Sequence, residues 1–108
     1  MSNRPPDTNV AEYREASINA AQVRARRAEE RAGHAVERAE EARAKAGSSR
    51  TPGARLRHLQ EAARMEHAVE FHRDAAQLQW HHVADESARQ RTAERRTSGG
   101  PGVEEHTS

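Results

Sequence analysis

Between residues 21 and 46, alanine recurs at 21, 25, 28, 32, 35, 39, 42 and 46, in alternating steps of four and three. Residues so spaced share one face of an α-helix, so the methyl groups line up as a single stripe. A stripe built from the smallest apolar side chain is a shallow groove. It admits a second helix at the short end of the usual axial separation of about 8–10 Å. Whatever fills the groove has to come from another part of the chain or from another molecule.

The flanking residues say where the helices begin and end. Asn9 and Glu12 form an N-x-x-E variant of the capping box, which predicts a helix start at residue 9. The run GSSRTPG, residues 47–53, interrupts the pattern, with Gly47 placed for a left-handed cap after Ala46. Thr51 and Pro52 then supply an N-cap and a first helical residue for a second helix. The run SGGPG after Thr97 predicts its end. No window alternates with period two, so no strand is expected. The expected plan is a disordered arm over 1–8, a helix over 9–46, a turn over 47–51, a helix over 52–97 and a disordered polar tail over 98–108.

A short linker between two long helices predicts an antiparallel hairpin. Folding back at residue 50 sets Ile18 against Val83, Ala21 against Trp80, Ala25 against Ala76 and Ala32 against Val69, with Ala35 near Met65 and Ala28 opposite His72. The predicted seam is therefore Ile18, Ala21, Ala25, Ala28, Ala32, Ala35 and Ala39 on one helix. On the other it is Met65, Val69, His72, Ala76, Trp80 and Val83. In this reading the second helix supplies large knobs to an alanine groove, large against small. The fold class is all-α: a coiled-coil-like two-helix hairpin.

The second helix carries a further apolar row. Turned about 180° from the seam lie Leu56, Ala63, His67, Phe71 and Leu78. A helix with one partner needs one stripe, so the second stripe points to another contact. Leu56, Phe71 and Leu78 are its expected interaction face, completing a helical bundle by self-association or docking a partner helix.

Composition narrows the function. Lys and Arg number 18 against 17 Asp and Glu, and neither helix carries the basic surplus of a typical nucleic-acid binder. There is no Cys, which removes disulfides and thiolate chemistry. The opening MSNRPPDTNV has no apolar core, and the longest stretch free of charged residues, AAQLQWHHVA, is about half of a membrane span. The expectation is a cytoplasmic protein without a membrane span. No nucleotide loop, nucleophile elbow or pocketed carboxylate pair occurs, so no catalytic residue, cofactor or small-molecule substrate is expected.

Two features retain chemical interest. Five of the seven histidines lie in the second helix, at 58, 67, 72, 81 and 82. None is paired with another at the i,i+4 spacing of helical zinc sites, and none follows a carboxylate by three residues as in di-iron bundles. His81 with Asp85, His82 with Glu86 and His67 with Glu70 are spaced to interact instead. No metal site is assigned, and a His/carboxylate metal-binding bundle is the third-ranked reading. A pH response centred on His72 is a further idea. The other feature is the run ARQRTAERR, where Arg89, Arg91, Arg95 and Arg96 are opposed only by Glu94. The macrodipole favours cations at a helix C-terminus, and the same residues can bind anions. The sequence thus predicts a non-enzymatic helical interaction or oligomerisation module. The alternative is an accessory nucleic-acid or anionic-surface binder working through those four arginines.

Overall fold

The computed structural model describes the backbone of residues 6–105 and the side chains of residues 9–96. Two helices account for it, α1 (Pro6–Ser48) and α2 (Pro52–Glu105). Among the described residues there is no strand, and no helix is long and apolar enough to cross a membrane. The all-α hairpin expected from the alanine periodicity is the fold observed.

The chain reverses over three residues, 49–51, and each side of the reversal is capped. The hydroxyls of Ser48 and Ser49 donate to the Lys45 carbonyl at 3.2 and 2.6 Å, and the Ser49 N–H reaches the Ala46 carbonyl at 3.3 Å. These bonds occupy carbonyls that the end of α1 leaves without an intrahelical donor. Thr51 Oγ1 accepts the Ala54 N–H at 3.2 Å, and the Thr51 carbonyl accepts the Arg55 N–H at 3.1 Å. Thr51 is therefore the N-cap its position predicts, with Pro52 at the first helical turn.

Other boundaries differ from the sequence reading. α1 begins at Pro6, so Asn9 lies inside the helix rather than capping it. Proline is suited to a first turn because its missing N–H has no acceptor there. Gly47 belongs to α1 and has no left-handed φ, since the serine hydroxyls terminate the helix two residues later than a glycine cap would. The backbone of α2 continues through SGGPG to Glu105, against local propensity, where a stop after Thr97 was expected. The remaining parts of the expected arm and tail, residues 1–5 and 106–108, lie outside the described residues.

Contacts divide the chain into two compact units. One joins the outer helix ends, Met1–Val23 with Gln79–Ser108, and the other is Arg24–Leu78, which contains the turn. In the turn-containing unit, Ala25, Ala28, Ala32, Ala35, Ala39, Ala42 and Ala46 of α1 are all buried, as are Ala62, Val69 and Ala76 of α2. Met65 and His72, expected to be knobs in the groove, are only half-buried. The cause is steric. Alanine facing alanine or valine favours a short axial separation, which leaves longer side chains to the flanks of the seam. Arg43 spans one such flank to pair with the Glu66 carboxylate.

In the other unit Ala21 is fully buried, with Ile18, Val83, Gln79 and His82 half-buried. Trp80 was expected opposite Ala21 and instead remains 37% exposed. Register explains the difference. The inward row of α2 runs 62, 65, 69, 72, 76, 79, 83, so its heptad position falls on Gln79, and Trp80 lies one residue, about 100°, around the helix. Among the described residues, the buried apolar side chains of each unit are alanine, with Val69 of the turn-containing unit the one larger member.

Candidate functional site

With alanine in the core, the bulky apolar residues lie elsewhere. On the turn-containing unit Leu56, Phe71 and Leu78 are 56%, 70% and 69% exposed. They occupy the face of α2 turned away from Ala62, Val69 and Ala76, as the second apolar row predicts. Leu59, half-exposed beside Leu56, widens the patch and was not singled out from sequence because it falls between the two rows. The Phe71 ring meets the half-buried His72 imidazole edge-on, with centroids 5.5 Å apart and planes at 76°. That contact fixes the ring's orientation on the surface without covering it.

The outer unit presents a different surface. Arg14 of α1 reaches the basic end of α2, where its Nε lies 3.6 Å from Glu86 and its Nη1 donates to the Arg89 carbonyl at 3.5 Å. Glu86 also accepts from Arg89 Nη1 at 2.7 Å, so one carboxylate holds two guanidinium groups. Beside this cluster lies an open cleft of about 350 Å³ lined by Arg14, Ala88, Arg89, Thr92, Ala93 and Arg96. Of the four arginines read as an anion-binding set, the fold brings Arg89 and Arg96 to the cleft. Arg91 and Arg95 do not line it. Arg14 was missed because nothing local marks it; only the folded-back register brings it opposite Glu86.

The histidines take other partners than their spacing suggested. His82 hydrogen-bonds Ser17 across the helix pair at 3.1 Å, while its i+4 neighbour Glu86 is engaged by Arg14 and Arg89. His58 Nδ1 lies 4.0 Å from Glu61, a pair not anticipated. His67 with Glu70 and His81 with Asp85 form no recorded bond among the described residues. No group of three or more His, Asp or Glu side chains converges there as metal ligands would.

No protein-family model, curated protein or solved structure matches this chain. The functional reading therefore rests on these two surfaces alone.

Proposed function

We propose that the chain is a non-catalytic helical assembly module in which the exposed stripe of α2 packs antiparallel against the same stripe of a second copy. The spacing of that stripe carries the reading. Leu56, Gln60, Ala63, His67, Phe71, Asp74 and Leu78 follow one another in steps of 4, 3, 4, 4, 3 and 4, which read the same in both directions about His67. A two-fold interface must be complementary to itself. An antiparallel copy centred on His67 sets Leu56 against Leu78 and Ala63 against Phe71, each pairing occurring twice.

The energetics suit a reversible association. Six large side chains, three from each copy, would leave water, a gross gain of roughly 6–12 kcal/mol. Lost translational and rotational freedom costs roughly 4–15 kcal/mol. The balance is a dimer whose population depends on concentration rather than an obligate one.

Sedimentation velocity from micromolar to millimolar protein tests this. The expected result is a concentration-dependent rise in mass that Phe71→Ser abolishes. Because Phe71 is exposed, helicity by circular dichroism should be unchanged in that variant. A monomer at every concentration, or association indifferent to Phe71→Ser, overturns the reading.

A further inference from the structure

We infer that the cleft at the outer unit binds a compact phosphate-bearing anion, such as a phosphate monoester or a diphosphate. Three arginines, Arg14, Arg89 and Arg96, line it. Glu86, which faces both Arg14 and Arg89, offsets one of these charges. Arg14 and Glu86 are well covered, their side chains 21% and 15% exposed. Two nitrogens of Arg14 face Glu86 and the Arg89 carbonyl, at 3.6 and 3.5 Å, which orients the side chain towards α2. Arg96 is engaged by no recorded partner among the described residues and is exposed. Its donors remain available.

The rest of the lining offers an anion no further donor. Ala88 and Ala93 present methyl groups between the arginines. Thr92 donates its hydroxyl hydrogen to the Ala88 carbonyl at 3.0 Å, which leaves its oxygen as an acceptor only. A planar guanidinium offers paired N–H donors matched to phosphate oxygens, and several arginines along one cleft favour a ligand with several oxygens on one centre. A volume of about 350 Å³ lies at the small end of ligand sites and suits a small molecule. A polymer of phosphodiesters would call for a continuous basic track, whereas the chain's positive and negative residues are nearly equal, at 18 and 17.

The test uses the full chain with inorganic pyrophosphate as the probe, followed by calorimetry and by NMR of the arginine side chains at low salt. Saturable binding should shift the guanidinium signals of Arg14, Arg89 and Arg96. Arg96→Gln should weaken it about tenfold, the loss of one charge-assisted contact. Arg91→Gln, which removes the same charge outside the cleft, should leave affinity within about twofold. Arg96 holds no part of the fold together, so its variant separates binding from folding. Equal losses in the two variants would mean diffuse attraction and overturn the site. Absence of saturation by about 1 mM pyrophosphate would do the same, as would binding confined to duplex DNA or to vesicles containing phosphatidic acid.

Discussion

Replacing Ala35 by leucine tests the packing account in the middle of the seam. Ala35 is 5% exposed, in the middle of the alanine row of α1. Leucine adds three carbons at this buried position, and overpacking of this kind costs about 1–3 kcal/mol. For a chain of this size, each kcal/mol moves the melting temperature by roughly 4–8 °C, so the midpoint should fall by about 5–20 °C. Ala44→Leu is the control. It makes the same chemical change on the exposed side of the same helix, and should stay within about 0.5 kcal/mol of the parent. The opposite perturbation gives an independent magnitude. Ala35→Gly and Ala44→Gly both lose about 1 kcal/mol of helix propensity, but only the first also loses a buried methyl, worth about 0.8 kcal/mol. Urea unfolding followed at 222 nm, with mass checked by sedimentation, measures all four variants. If Ala35→Leu were as stable as the parent or more so, the seam would have space to spare. The close approach of the helices would then be refuted.

Three further outcomes follow from single contacts. Thr51→Ala removes the side-chain acceptor for the Ala54 N–H, and should cost about 1 kcal/mol in urea unfolding, whereas Thr51→Ser should cost much less. Gly33→Ala should stabilise by about 1 kcal/mol, because a Cβ there meets nothing within 4 Å and the residue is inside α1; a loss of stability would mean that α1 is not helical at that point. Ser17→Ala breaks the part-buried bond to His82. Thermal melts should show a loss of about 0.5–1.5 kcal/mol, and no change would mean the bond is not formed in solution.

The alanine row made most of the fold legible. Its 3.5-residue average period specified a helix, its buried face and the need for a partner helix, and GSSRTPG specified where that partner begins. The N-cap at Thr51 was readable because a β-hydroxyl followed by proline has few other uses. Gly47 misled, since two serines immediately after it offered hydroxyl caps that a search for glycine overlooks. Trp80 misled for a related reason. Its size argues for the core, but the heptad step places Gln79 inward and Trp80 about 100° around the helix. Leu56, Phe71 and Leu78 were readable as a second face because period alone separates them from the seam. The basic cleft was half readable. Arg89 and Arg96 share a helix face by spacing, but Arg14 joins them only through tertiary register, which no local pattern encodes.

The central claim is that the alanine groove is filled by the same chain folded back on itself. Spin labels at Arg27 and Asp74, both exposed and both within Arg24–Leu78, measure this directly. Doubly labelled chains diluted into an excess of unlabelled protein report only distances within one molecule. Helices packed through alanine should give a narrow distribution centred at about 15–30 Å, allowing for the label tethers. A distribution approaching about 70 Å, the rise of one continuous helix between the two positions, would contradict the account, as would a short distance that vanishes on dilution.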